Sequence, residues 1–160
     1  MEHARTATRD DVARLVELAR ELRSELGSYR GGALWAARDV MGEPLDEAFE
    51  TMAEGADATV VVGTIDDVVV GYGIVAVEVL RDGSRLGVVG ELFVEPGARG
   101  VGVGEAVANR IVDDCRAAGC NGVDVVALPG HRATKNFFEE RGFTARAIVM
   151  HHEIGAESDV

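Results

Sequence analysis

Lysine and cysteine are both scarce in this chain, and each shortage excludes a class of site. Lys135 is the only lysine, against fifteen arginines. A nucleotide-binding P-loop needs a lysine directly after its last glycine, and Lys135 does not stand in such a motif. The two cysteines, Cys115 and Cys120, are too few for a disulfide framework and lack the partners of a zinc site. We therefore expect two reduced thiols near a helix end and neither an ATP-dependent switch nor a kinase.

Long hydrophobic runs and positive charge are missing as well. No apolar run approaches the roughly 20 residues of a membrane span, and the charged N-terminus does not resemble a signal peptide. The net charge of −12 argues against nucleic-acid binding, because phosphate contacts need clustered lysine and arginine. An acidic surface attracts cationic substrates such as amines, or serves solubility alone. We expect a soluble cytoplasmic protein with no membrane or nucleic-acid partner, and the arginine-rich composition suggests a bacterial source.

Length predicts a single domain over residues 1–155, followed by a polar tail at 156–160. Glycine is concentrated in one part of it, residues 94–104, which read VEPGARGVGVG. An apolar run over residues 86–94 predicts a strand before this segment, and a helical pattern over 105–115 follows it. The first amides of a helix have no intrahelical partner and carry partial positive charge. A glycine-rich loop that opens on a helix therefore predicts an anion site, best suited to a phosphate or pyrophosphate.

The spacing of these glycines distinguishes between known phosphate loops. The dinucleotide-binding motif G-x-G-x-x-G does not fit these residues. Its third glycine would fall on Glu105 when counted from Gly100, and on Val107 when counted from Gly102. The motif present, Arg99-x-x-Gly102-x-Gly104, resembles the signature of the GCN5-related N-acetyltransferase (GNAT) superfamily. Residues 91–96, ELFVEP, are similar to that family's fourth strand, and 131–143, HRATKNFFEERGF, to its second conserved block.

The pattern along the chain predicts the order β-α-α-β-β-β-α-β-α-β, which is also the order of the GNAT fold. Thr8 to Asp11 has the form of a capping box before the first helix, which ends at Gly27. The fold class is therefore α/β (α+β), a mixed, mostly antiparallel sheet of about six to seven strands flanked by helices on both faces. The predicted strands lie at 3–7, 59–65, 68–80, 86–94, 124–128 and 143–154, and the helices at 12–26, 33–54 with a break near 42–44, 105–115 and 132–141.

The resemblance implies acetyl-coenzyme A as the cofactor. In the family, the backbone of the fourth strand binds the pantetheine arm, and the amides of the glycine loop bind the pyrophosphate. Arg99 could add a charged contact. Carried over by position, the cofactor-binding residues are Leu92, Phe93, Val94, Arg99, Gly100, Val101, Gly102, Val103 and Gly104, with Asn136 and Phe138 from the second block.

Glu91 is the candidate general base, because it stands on the strand beside the expected acyl site, where the family often places a carboxylate. A glutamate in an apolar strand is costly unless it is solvated or paired. The alternative is a glutamate on the wet face of the strand, and Glu78 on the preceding strand is a weaker competitor.

Phe138 departs from the family pattern, because many members have tyrosine there as the acid that protonates the thiolate. One alternative is that His131 or a water donates the proton instead. A second is that the thiolate leaves without a proton donor, and a third is that catalysis is weak or absent. His131 and Asn136 are alternatively surface residues. No metal site is predicted, since the adjacent His151 and His152 would point to opposite faces of a strand.

These observations predict an N-acetyltransferase that moves an acetyl group from acetyl-coenzyme A to a primary amine of a small molecule or protein by direct attack on the thioester. The alternative is a non-catalytic acyl-coenzyme A sensor or regulatory module, which Phe138 favours. The amine acceptor and the acyl length stay open. The resemblance also allows a homodimer, and it places Tyr29, Arg30 and Trp35 either at the acceptor pocket or in core or dimer packing.

Overall fold

The computed structural model describes residues 1–55 and 57–155 of the chain. They fall into two compact units, the first over Met1–Gly130 and the second beginning at His131. The prediction of a single domain over 1–155 stays a prediction, and the predicted tail at 156–160 lies outside the described residues. Within the described ranges no helix is long and apolar enough to cross a membrane.

The described residues of the first unit form one sheet and four α-helices, in the predicted order but with one helix more than predicted. Thr8 and Asp11 form the predicted capping box, at a 3-10 turn over Arg9–Asp11 that leads into the first helix. The single helical stretch predicted over 33–54 forms two helices, separated at the predicted break. The strands are β1 (Glu2–Thr6), β2 (Ala58–Ile65), β3 (Val68–Val79), β4 (Arg85–Val94) and β5 (Cys120–Val125), and the helices are α1 (Val12–Leu26), α2 (Gly32–Arg38), α3 (Leu45–Ala53) and α4 (Val103–Ala117).

The sheet has the order β1-β2-β3-β4-β5. Its first four strands pair antiparallel, β1 with β2 across the first three helices and the others as hairpin neighbours. Asp66 and Asp67, both at positive φ, make the turn between β2 and β3. Strands β4 and β5 pair parallel, with α4 as the crossover between them. The predicted mixed, mostly antiparallel sheet is therefore confirmed.

Helices cover both faces of this sheet, because alternate strand residues enter different cores. Val60 and Val62 of β2 pack with residues of α1, α2 and α3, such as Leu18 and Phe49. Val61, between them, packs with α4. This is the period of two that a strand buried on both faces requires.

Helix α4 lies very close to the sheet because glycines stand beneath it. A Cβ atom at Gly63 would lie 2.6 Å from Val103 Cγ1 and 2.7 Å from Val107 Cγ2, and one at Gly87 would lie 2.5 Å from Cys115 Sγ. Cys115 is a free thiol, and its pKa is raised to about 11, first by burial and then by the neighbouring Cys120. A thiol with such a pKa is protonated at neutral pH and unreactive.

Two of the predicted strands are wrong, one in its position and the other because it does not form in the described residues. The fifth strand occupies Cys120–Val125 rather than 124–128, because α4 is followed at Gly119 by a residue at φ +80° and pairing with β4 begins at Cys120. The predicted last strand at 143–154 is absent from the described residues, so the sheet there has five strands rather than six to seven. Residues such as Ile148 and Met150 have strand-like composition but are 81 and 87% exposed. Composition does not make a strand without a partner for its backbone.

Candidate functional site

Strand β4 is longer than its pairing with β5, and the sheet opens at this point. The parallel pairing ends at Val89 opposite Val125, whereas β4 continues to Val94. A bulge interrupts β4 just beyond this end, because Ile74 pairs with Glu91, Val75 pairs with Val89, and Gly90 has no partner on β3. The end of β4 over residues 90–94 therefore has a backbone edge that β5 does not use.

The bulge also changes which face the next side chain enters. Val89 packs in the core beneath α4, whereas Phe93 packs in the core of α1, α2 and α3. Regular alternation would put residues 89, 91 and 93 on one face, so the extra residue Gly90 reverses the direction of Glu91 and Phe93.

The glycine loop begins directly after this strand and ends at the N-terminus of α4, as predicted. A 3-10 turn over Pro96–Ala98 leads into Arg99, and the buried Ala98 packs with Val70 and Val103. Gly100 and Gly102 have φ of +84° and +96°. Gly102 is the N-cap of α4, so no side chain of the cap residue covers the first helical amides.

The backbone of this loop is accessible, and its binding of a pyrophosphate stays a prediction. Apart from its two chain neighbours, no described residue has an atom within 4 Å of the position that a Cβ of Gly100 would take, so a ligand has access to the backbone there. Val101 is 55% exposed and Gly104 stands in the first turn of α4. At Gly102, by contrast, a Cβ would lie 3.4 Å from Cγ of Glu2, so the accessible backbone is that of Gly100. Accessible backbone beside a helix N-terminus is the usual form of a phosphate site.

Arg99 does not point freely at solvent but is held by its neighbours. Its guanidinium makes a two-pronged ion pair with Glu25 near the end of α1, and its Nε donates to the carbonyl of Val94 at 2.8 Å. The guanidinium also lies 5.3 Å from the centroid of the Phe93 ring. A pyrophosphate contact by Arg99, which stays a prediction, would compete with Glu25.

Glu91 is buried, with 2% of its side chain exposed, and therefore does not lie on a wet face of β4. Its carboxylate pairs with Arg23 of α1, and it accepts hydrogen bonds from the Tyr72 hydroxyl and the Met41 amide. The cost of burying this charge is thus offset by pairing. The competitor Glu78 is exposed. The role of Glu91 as general base stays a prediction.

The Tyr72 hydroxyl stays protonated beside this carboxylate. Burial first, and then the negative charge of Glu91, hold the pKa of Tyr72 well above its usual value. Sequence reasoning missed Arg23, Tyr72 and Met41 as neighbours of Glu91. The only sequence signal was the expectation that a glutamate in an apolar strand needs a partner.

The second unit holds the other predicted site residues on one helix, α5 (Arg132–Glu139). His131 is its N-cap, and its Nδ1 contacts the hydroxyl of Thr134. Asn136 is exposed. Phe138 is buried and makes edge contacts with Phe137 and Phe143, at 5.0 and 5.1 Å between ring centroids. An aromatic cluster therefore surrounds the position where the family often has tyrosine.

The residues considered for the acceptor pocket divide between core and surface. Trp35 of α2 is only 5% exposed and packs in the core shared by α1, α2 and α3. Tyr29 lies beside the segment after β5, because a Cβ at Gly130 would be 3.9 Å from its ring. Core packing is thus the observed role of Trp35.

The geometry is that of an α/β protein whose mixed sheet opens beside a glycine loop and a helix N-terminus at the end of β4. The model of the acetyltransferase (GNAT) family matches residues 17–143 of the sequence. The chain belongs to this family, whose members transfer acetyl groups and generally use acetyl-coenzyme A.

Solved structures agree on the fold. A transcriptional regulator from Bacillus halodurans C-125 is 18% identical with a TM-score of 0.72, over 96% of this chain and all of that one. A Trypanosoma brucei acetyltransferase is 22% identical with a TM-score of 0.67, over the same shares. The ribosomal-protein-alanine N-acetyltransferase of Brucella melitensis biovar Abortus 2308 is 15% identical with a TM-score of 0.70, over 97% and 100%. No curated protein matches the sequence.

Proposed function

We propose that this chain is an N-acetyltransferase that moves the acetyl group of acetyl-coenzyme A to a primary amine of a small molecule or protein. The observation that carries this proposal is the open end of β4. It leads, within the eight residues 95–102, to the uncapped N-terminus of α4. One continuous stretch of chain would thereby contact both the thioester beside β4 and the pyrophosphate at α4.

Acetyl-coenzyme A supplies an activated acetyl group as a thioester. The neutral amine attacks the carbonyl carbon, so a C–N bond forms, the C–S bond breaks, and the sulfur leaves as thiolate. In the proposed site, backbone groups of Leu92, Phe93 and Val94 orient the pantetheine arm beside this carbon. Amides of residues 100–104 hold the pyrophosphate with the partial positive charge of α4.

The amine must lose a proton during the reaction, and Glu91 and solvent are the two candidate acceptors. The family motif makes His131, Asn136 and Phe138 further candidates for the reaction and for cofactor contact. Phe138 has no proton to donate, so the thiolate must leave unprotonated or take its proton from His131 or water.

Binding and turnover test the proposal in sequence. Isothermal titration with acetyl-coenzyme A and with 3′-dephospho-coenzyme A measures the cofactor site, and thiol release over a panel of amines measures transfer. We expect micromolar binding of acetyl-coenzyme A and release with one class of amine. Absence of binding would overturn the assignment of the glycine loop.

A second candidate function is a non-catalytic acyl-coenzyme A sensor, which Phe138 favours. The variant Phe138→Tyr separates the two. A large gain in thiol release would show an enzyme that lacks its usual acid. Tight binding without release on any amine, in both the parent and the variant, would support the sensor.

A further inference from the structure

Glu91 and Arg23 form an ion pair in the interior of the first unit. Arg23 Nη1 lies 3.0 Å from Glu91 Oε1, and Nη2 lies 3.3 Å from Oε2. The Arg23 side chain is 18% exposed and that of Glu91 only 2%. The pair connects α1 with the end of β4, immediately beyond the bulge at Gly90.

Both oxygens of the Glu91 carboxylate have further donors. Oε1 accepts the Tyr72 hydroxyl at 2.7 Å, and Oε2 accepts the Met41 amide at 3.1 Å. Four hydrogen bonds fill the roughly four lone-pair sites of a carboxylate. A proton from an amine would therefore have to displace one of these donors before Glu91 could accept it.

Both backbone polar groups of Met41 form hydrogen bonds with this ion pair. Its amide donates to Glu91, and its carbonyl accepts Arg23 Nη2 at 2.9 Å. Met41 lies in residues 39–44, the connection between α2 and α3, which we call the α2–α3 segment. One buried ion pair thus fixes this segment against β4 by two hydrogen bonds to a single residue.

We propose that Glu91 is a positioning residue for the amine acceptor, acting through Arg23 and Met41. This inference rests on the proposed function, under which the thioester lies beside residues 92–94 of the same strand. The α2–α3 segment, held next to that strand, then forms a wall of the acceptor site. Loss of the carboxylate would misplace the wall and weaken productive binding of the amine, rather than remove a base.

The two roles of Glu91 predict different kinetics for Glu91→Gln. A lost positioning contact raises the KM for the amine, by about 10-fold or more, and leaves kcat nearly unchanged. A lost general base lowers kcat by about 10²–10⁴-fold and removes the acidic limb of the pH–rate profile. Both are measured with the best amine of the panel at saturating acetyl-coenzyme A.

Two readouts do not depend on activity. Hydrogen–deuterium exchange followed over a peptide spanning residues 36–45 reports the Met41 amide. The fluorescence of Trp35, the only tryptophan, reports the middle of α2, the helix that precedes this segment. We expect faster exchange and changed Trp35 emission in Glu91→Gln.

A second ion pair, which also connects α1 with the α2–α3 segment, provides a matched control. Arg20 of α1 pairs with Glu43 at 2.9 Å, and both side chains are 59% exposed. Arg20→Gln should leave the exchange of residues 36–45 and the amine KM near their parent values, because exposed pairs contribute little. Glu91→Gln also leaves Arg23 without its partner, so the double variant Arg23→Gln/Glu91→Gln is measured with it and should show the same KM rise.

The outcomes separate the inference from the function on which it rests. Faster exchange together with a higher KM and an intact acidic limb supports positioning. A lower kcat and the loss of the acidic limb, with unchanged exchange, overturn the positioning role and identify Glu91 as a general base. Faster exchange with an unchanged KM also overturns it, because the ion pair would then be structural only. If the parent protein turns over no amine, the proposed function fails and the acceptor role fails with it, whereas the exchange result still measures the hold on Met41.

Discussion

Arg99 of the glycine loop and Glu25 of α1 form a two-pronged ion pair, with nitrogen–oxygen distances of 2.9 and 2.8 Å. Their side chains are 41 and 28% exposed, so the pair lies at the surface beside the proposed pyrophosphate site. Bidentate pairing is the geometry in which arginine also binds phosphate. Glu25 therefore occupies the same groups of Arg99 that an incoming pyrophosphate would use.

Glu25→Gln should tighten acetyl-coenzyme A binding. The substitution releases Arg99 and removes a negative charge near the phosphates, and we expect the dissociation constant to fall by about 3- to 10-fold at low ionic strength. Titration calorimetry at low and high salt measures it. Asp113→Asn on α4 is the control, because it removes one charge from an exposed pair with Arg116. Equal tightening in both variants would reveal a net-charge effect and contradict the competition.

Gly102→Ala should weaken acetyl-coenzyme A binding while the protein stays folded. The residue has φ +96°, where a side chain strains the backbone by about 1–2 kcal/mol, and the strain acts at the N-cap of α4. We expect the dissociation constant to rise by about 10-fold. Gly97→Ala is the control in the same loop, because a Cβ at Gly97 would meet no described atom within 4 Å other than those of its chain neighbours. Similar titration curves for the two variants would exclude the loop as the anion site.

The glycine loop and the strand before it were predictable because their signals are local. An apolar run, spaced glycines and a helical pattern follow one another within residues 86–115, and each reflects backbone geometry. The partners of Glu91 were not predictable. Arg23 lies 68 residues away, and the bulge at Gly90 that turns Glu91 toward it depends on the register with β3.

The last predicted strand shows that a local sequence pattern can also predict an element that does not form. Residues 143–154 have the composition of a strand, yet a strand exists only where another strand accepts its backbone hydrogen bonds. Similarly, the apolar run at 124–128 suggested β5, but the register with β4 places the pairing at Cys120–Val125 and leaves Val126 63% exposed.

Gly63→Ala should destabilise the fold by overpacking the contact between β2 and α4. The new methyl group would lie 2.6 and 2.7 Å from methyl groups of Val103 and Val107, which are stiff β-branched side chains. We expect a loss of about 1–3 kcal/mol in the free energy of unfolding, measured by urea denaturation. Gly122→Ala in β5 is the matched strand variant, because its Cβ would meet only Leu86 at 3.9 Å. A larger loss for Gly122→Ala would refute close packing as the cause.

Asp11 should make the stability of the protein depend on pH in the acidic range. Its carboxylate accepts two hydrogen bonds from Arg5, at 2.8 and 3.0 Å, and one from the Thr8 amide at 2.8 Å. The Arg5 guanidinium holds the pKa of Asp11 below its usual value, with burial opposing the shift and the Thr8 amide adding to it. Because the folded pKa is the lower one, the stabilisation is fully present above the unfolded pKa of about 3.9 and is lost as the pH falls through the folded pKa.

Asp11→Asn tests this directly. At pH 7 the variant should lose about 1–2 kcal/mol in the free energy of unfolding, because it weakens both the capping box and the contact with Arg5. Between about pH 4 and pH 2 the difference from the parent protein should shrink, since the parent's own carboxylate becomes protonated there. Urea denaturation across this range measures both curves, with Asp113→Asn as the exposed control that should follow the parent. A constant gap between Asp11→Asn and the parent down to pH 2 would mean that the ionised carboxylate of Asp11 contributes nothing beyond its hydrogen-bonding shape.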